Sequence, residues 1–347
     1  MTITTPKFWQ NLPKVVLHEH LDGNLRPATL LELCIQRSIT LPAKTPETLQ
    51  HWIHTQANSG SLERYVAAFG LTVAAMATPE ACERVACEAV EDCAADGAVL
   101  IELRMAPLLL AAHGLSGDEA VAAMLAGLRR GSIATGIPSG LIVCGMRTDT
   151  PQDVVRSAEL AARFASRGEG TGVVGFDLAG AERGFPAVLH AKAVALACEA
   201  GLGITLHAGE ADAGERVIES IALGATRIGH GIQITQDTNQ TEAAARIAHA
   251  RESGVHFEVC PTSNLHTGAW NNLKTHPLLA MERAGLNWSL QADNRLISVL
   301  TQGSEYRVAH EEIGIGFDAL KAGMVRAAKA SFLSKSAIEQ ALSLLAG

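Results

Sequence analysis

Eight short apolar, β-rich runs alternate with helix-patterned stretches along the chain, and this alternation constrains the fold more than any other feature. The runs cover residues 15–20, 99–107, 141–147, 173–180, 204–210, 227–232, 256–264 and 288–294. Helix starts between them are marked by N-cap chemistry. Ser116-Gly-Asp-Glu119 is a capping box, and Thr78-Pro79 and Thr150-Pro151 place a cap ahead of proline at the first helical position. Helices predicted over 79–96, 187–200, 213–223 and 240–252 end near Gly97, Gly201, Gly224 and Gly254, as helix C-termini commonly do.

Eight strands each followed by a helix predict a parallel (β/α)₈ TIM barrel better than an open sheet. The connection after strand 1 is unusually long and holds helical patterns at 28–37, 46–57, 62–77 and 79–96, so a helical insertion there is expected to form a lid. No linker or repeat divides the chain, which reads as one domain over 1–347, closed by helices from about 305 to 346.

Composition narrows the partners. At 347 residues, 48% hydrophobic and 18% charged, the chain has material for one large core. The net charge is −8 and no run of Lys or Arg exceeds two, which argues against a nucleic-acid surface. No apolar stretch approaches the ~20 residues of a membrane span, and residues 1–10 contain no apolar leader segment. The seven cysteines are scattered without a Cys-x-x-Cys pair, as expected for reduced thiols in a cytoplasmic protein. No sequence feature sets the oligomeric state.

Polar residues interrupt the pattern at the strand ends, the face where barrel enzymes gather their chemistry. His18 and His20, two apart on strand 1, point to the same side. His207 and Glu210 end strand 5, His230 ends strand 6, and Asp293-Asn294 ends strand 8. Three imidazoles and a carboxylate (His18, His20, His207, Asp293) suit one Zn²⁺ with an open position for water. Zinc lowers the pKa of that water, making it a nucleophile. Glu210, three residues past His207, is placed to move protons, or else is a carboxylate at a helix start. His230 could take the water's proton, stabilise the hydroxide, or be a core histidine. Gly314-Ile-Gly316 is only half of a dinucleotide fingerprint and follows no suitable strand.

The motifs Leu12-Pro-Lys-Val-Val-Leu-His-Glu-His-Leu-Asp-Gly23, Gly175-Phe-Asp-Leu-Ala-Gly180, Leu206-His-Ala-Gly-Glu210, Ile228-Gly-His-Gly231, Glu258-Val-Cys-Pro-Thr-Ser-Asn264 and Ala292-Asp-Asn294 resemble those of the adenosine deaminases, in that family's order. The resemblance implies His18, His20, His207 and Asp293 as zinc ligands, Glu210 as the acid that protonates purine N1, and His230 as the partner of the zinc-bound water. It also implies that Gly180 offers its N–H to N3 and that Asp22 contacts the ribose. Leu62, Tyr65, Val66 and Phe69, at helical spacing in the insertion, resemble an apolar lid, although such a stripe also suits plain helix packing.

The implied substrate is a small-molecule purine nucleoside, adenosine or 2′-deoxyadenosine, with aminodeoxyfutalosine or adenine as alternatives. The sequence departs from the family pattern at the end of strand 8. Asn294 stands where a second Asp usually faces purine N7, and Ala292 replaces a frequent Thr. Strand 4 carries no lysine at its end, which disfavours a binuclear hydrolase.

Overall fold

All eight expected runs become strands, though several end sooner than apolar periodicity alone suggests. The computed structural model describes residues 5–58, 62–166, 171–236 and 239–346, and of residues 62–67 only the backbone. Its centre is an eight-stranded sheet: β1 (Lys14–His20), β2 (Ala98–Met105), β3 (Ser139–Met146), β4 (Val173–Ala179), β5 (Gly203–Ala208), β6 (Arg227–His230), β7 (His256–Val259) and β8 (Asn287–Leu290). Every neighbouring pair is parallel and the strands follow chain order, the topology of a (β/α)₈ barrel.

The barrel closes between β8 and β1 with little regular ladder. The His20 N–H donates to the Asp293 carbonyl at 2.9 Å, and the Asp293 N–H donates to the His18 carbonyl at 2.9 Å. Below that point Gln291 substitutes a side chain for backbone: its Oε1 accepts the Leu17 N–H at 2.8 Å. Gln302 spans the same seam, donating to the carbonyls of Val15 (2.9 Å) and Leu290 (3.0 Å). Asp293 stitches the seam with φ 63°, a left-handed conformation uncommon for a non-glycine residue.

The helices match the caps read from sequence. Ser116 and Glu119 form the capping box, and Thr78 and Thr150 cap as expected. Gly97, Gly201, Gly224 and Gly254 all have positive φ just past their helices. The insertion contains the helices Pro27–Gln36, Pro46–Ala57, Leu62–Met76 and Pro79–Ala95. The third touches the turn Leu21–Gly23, directly after β1.

Two expectations need correction. The run 256–264 is not one strand: β7 stops at Val259, and Pro261 opens the helix Pro261–His266, where its fixed φ suits the first helical position. The run 288–294 likewise leaves the sheet after Leu290, because Gln291 and Asp293 bond across the seam instead of extending a strand. The closing segment from about 305 is helical as expected, with Gln302–Val308, Phe317–Ala330 and Lys335–Leu345 and a π-turn at Ala309–Ile313. The paired glycines Gly314 and Gly316 mark that break; Gly314 has φ 88°.

Candidate active site

Three strand ends bring the four expected ligands together. His18 and His20 come from β1, His207 from β5, and Asp293 follows β8. The Nε2 of His18 and the Nε2 of His20 each lie 3.5 Å from Asp293 Oδ1, and His20 Nε2 lies 3.4 Å from His207 Nε2. Ligand atoms of His18, His20 and Asp293 fall within 4.8 Å of one another, as do those of His18, His207 and His230. His18 sits at the junction of both groups. Gly229 makes this crowding possible, since a Cβ there would stand 2.9 Å from the His18 ring.

The donor set fits a metal ion. His18 is buried and its Nδ1 is already engaged, yet its Nε2 has no hydrogen-bond partner among the described residues. A buried ring nitrogen left in that condition is costly unless a ligand completes it. Burial holds the His20 imidazole well below its usual pKa, which keeps it neutral and able to donate a lone pair. Burial would raise the Asp293 carboxyl, but the close approach of His18, with His20 and His230, holds it well below the carboxylate range. Ser263 Oγ donates to its other oxygen at 2.5 Å.

A buried ionic layer beneath the histidines orients two of them. Glu258 accepts from His18 Nδ1 at 2.7 Å, and Asp177 accepts from His207 Nδ1 at 2.9 Å. Each carboxylate thereby turns the opposite nitrogen of its imidazole toward the cluster. Arg104 bridges the two, reaching Asp177 at 2.7 Å and Glu258 at 2.6 Å, and Arg227 reaches Glu258 at 2.5 Å. Against the penalty of burial, these cations and His207 or His18 hold both acids well below their ordinary pKa. The sequence reading assigned no role to Asp177, Glu258 or Arg104. Their signal was a charge inside an otherwise apolar barrel strand.

Glu210 faces this cluster from the loop after β5. Its Oε1 accepts from Thr267 Oγ1 at 3.0 Å and Asn264 Nδ2 at 3.3 Å, and its Oε2 lies 3.7 Å from His230 Nε2. A chain of bonds sets the orientation of these groups. The Leu278 N–H donates to His276 Nδ1 (3.2 Å), so His276 presents Nε2–H to Asn264 Oδ1 (3.3 Å). That turns the Asn264 amide nitrogen toward Glu210 and toward His230 Nδ1, 3.1 Å away. In the neutral ring His230 then carries its proton on Nε2, facing Glu210. His230, like Asp293, holds a left-handed φ, at 62°.

The residues expected to meet the substrate surround this face. Asp22 lies in the turn Leu21–Gly23, 6% exposed, with Oδ1 unbonded among the described residues. Burial raises its carboxyl to about 7. Asn294 packs its side chain against Gly23, where a Cβ would strike the amide, so glycine is required beside it. Gly180 directly follows β4, with φ 96°. Phe69 is partly buried against the main core from the insertion helix. The side chains of Leu62, Tyr65 and Val66 lie outside the described residues.

A closed parallel barrel with imidazoles and a carboxylate at its C-terminal face, backed by buried acids and faced by Glu210, has the layout of a barrel enzyme whose site could hold a metal ion. Comparison with known proteins narrows that class. A family described as adenosine deaminase matches residues 13–346. The adenosine deaminase of Mycobacterium leprae is 39% identical over 344 residues, 95% of this chain and 94% of that protein. That of Mycobacterium ulcerans is 39% identical over 334 residues, covering 93% and 91%. The chain belongs to the adenosine deaminase family.

Among solved structures, an adenine deaminase from Arthrobacter aurescens superposes with a TM-score of 0.85 at 22% identity, covering 97% of this chain and 98% of that one. An amidohydrolase from Burkhoderia ambifaria with bound Zn gives 0.85 at 22%, covering 100% and 93%. These likenesses establish the shared barrel. No single helix among the described residues is long and apolar enough to cross a membrane.

Proposed function

We propose that this chain hydrolyses adenosine and 2′-deoxyadenosine to inosine or 2′-deoxyinosine and ammonia, with one zinc ion held by His18, His20, His207 and Asp293. The observation that carries the reading is the placement of Glu210, whose carboxyl faces the histidine cluster beside His230. Relatives at 39% identity bear the adenosine deaminase name.

When bound, zinc supplies a Lewis acid that brings a water's pKa toward neutrality. In the net reaction a water oxygen bonds to C6, the C6–N bond breaks, and the nitrogen leaves as ammonia. Glu210, protonated, donates to ring N1 as C6 becomes tetrahedral, which spares the ring a full negative charge. Thr267 and Asn264 hold that carboxyl from one side. His230, with Nδ1 engaged by Asn264, keeps a proton on the face shared with Glu210. Gly180 offers a backbone N–H to N3, Asn294 donates to N7, and Asp22 accepts from a ribose hydroxyl. Phe69 belongs to the helix that covers the purine, with Leu62 and Tyr65 on the same helix. Six of the seven free cysteines are buried, which suits a reducing compartment, and we place the protein in the cytoplasm on that ground.

The test is a panel of adenosine, 2′-deoxyadenosine, adenine and aminodeoxyfutalosine, followed by the ultraviolet change on loss of the 6-amino group. The nucleosides should turn over fastest, and Asp22→Ala should slow them about tenfold or more, since leaving a buried polar group unpaired costs ~1–3 kcal/mol. Faster turnover of adenine than of adenosine would overturn the nucleoside assignment.

A further inference from the structure

Glu182 lies two residues past Gly180, on the loop leaving β4, and reaches across to the loop leaving β5. Its Oε1 accepts the N–H of Gly209 at 2.5 Å. Its Oε2 accepts those of Glu210 at 3.0 Å, Ala211 at 2.9 Å and Asp212 at 3.0 Å. Four successive amides therefore converge on one carboxylate that is only 5% exposed. Gly209, with φ 64°, bends the chain so that they can. Consecutive amides in such a turn form a concave anion site, and here the chain supplies its own anion.

This is not a helix cap. The following helix, Glu215–Ala222, begins after Gly214, beyond all four amides. What the arrangement fixes is the backbone of Glu210, which is held at both ends. Glu182 takes its N–H, and Gln233 Nε2 donates to its carbonyl at 3.1 Å. The Gln233 N–H in turn donates to the Gly209 carbonyl at 2.9 Å. The partners of the Glu210 carboxyl, Asn264 and Thr267, orient the end of a flexible side chain but leave its Cα unfixed.

We propose that Glu182 is a positioning residue for Glu210, clamping its backbone so that the carboxyl stays aligned with the ring nitrogen it protonates. The proposal rests on the reading of Glu210 as proton donor. A reacting group misplaced by ~1 Å loses on the order of 10²-fold in rate, so a loosened turn should act on the chemical step more than on binding.

The experiment is a double-mutant cycle on adenosine turnover. Glu182→Gln is nearly isosteric, but its amide nitrogen cannot accept, so an N–H₂ faces backbone N–H groups. It should lower kcat about 10- to 100-fold, with KM changed less than about twofold and metal content unchanged. In the Glu210→Gln background the same substitution should cost less than about twofold, because the group it positions is gone. Glu182→Asp keeps the charge with a shorter reach. It should fall between wild type and Glu182→Gln, and it is the variant to read if the glutamine variant does not fold. Wild-type kcat in a folded Glu182 variant, or equal losses in both backgrounds, would overturn the positioning role. Wild-type turnover in Glu210→Gln alone would remove the reading of Glu210 itself, whatever Glu182 does.

Discussion

Asp177 holds His207 through Nδ1 at 2.9 Å, and this leaves Nε2 as the ring nitrogen turned toward His20, 3.4 Å away. A single buried carboxylate on β4 thus decides which way the His207 ring on β5 points. Because Arg104 holds the same carboxylate at 2.7 Å, the orientation is tied into the barrel interior and not left to a surface loop.

Asp177→Asn should weaken zinc binding by roughly 10- to 100-fold, the usual cost of losing the partner of a metal-bound histidine. Competition against a chelator measures it directly. Turnover should recover at high zinc, since the substitution leaves Glu210 in place. Unchanged zinc affinity would mean that the His207 ring is held by its packing alone.

Glu305 gives a pH-dependent prediction. It is buried, accepts from the Thr262 N–H at 2.7 Å and from its hydroxyl at 2.5 Å, and burial raises its carboxyl from 4.5 to about 7. A folded pKa above the unfolded one favours the folded state while the acid is protonated. Its contribution is therefore complete below about pH 4.5 and is lost as pH rises toward 7, a change of order 3 kcal/mol. Glu305→Gln cannot ionise, so its stability relative to wild type should improve with rising pH across that window. Parallel denaturation profiles at pH 4.5 and 7 would contradict the shift.

Asn294 offers a test of purine recognition. Purine N7 only accepts hydrogen bonds, and a carboxamide donates at every pH, whereas a carboxyl donates only when protonated. Asn294→Asp should remain active but lose kcat/KM as pH rises through the pKa of the new group. Asn294→Leu should lose ~1–3 kcal/mol with adenosine and little with its 7-deaza analogue, which lacks the acceptor. Equal discrimination against the analogue by both proteins would place Asn294 away from N7.

The barrel was legible because its signals are local. Alternating runs marked all eight strands, and Gly97, Gly201, Gly224 and Gly254 punctuated helices where left-handed residues occur. The strand ends brought His18, His20, His207 and Asp293 together as their spacing implied. The supporting shell was not legible in the same way. Asp177 and Glu258 look like misplaced charges until β2 and β6 deliver Arg104 and Arg227 to them, and no periodicity reports which strands become neighbours through the barrel interior. Glu182 is similar: its partners are backbone amides of another loop, which carry no side-chain signature. The overlong reading of β7 has a simpler cause. Cys260-Pro261 continues an apolar run but starts a helix, which is what carries Ser263 and Asn264 into the site.

If Glu210 supplies the proton at a site where His18, His20, His207 and Asp293 hold one metal, adenosine turnover by Glu210→Gln at matched zinc content should show it. The variant should retain about one zinc per chain and lose 10²- to 10⁴-fold in kcat, the range expected of general acid catalysis. Near wild-type turnover at unchanged zinc content would assign the proton to another group.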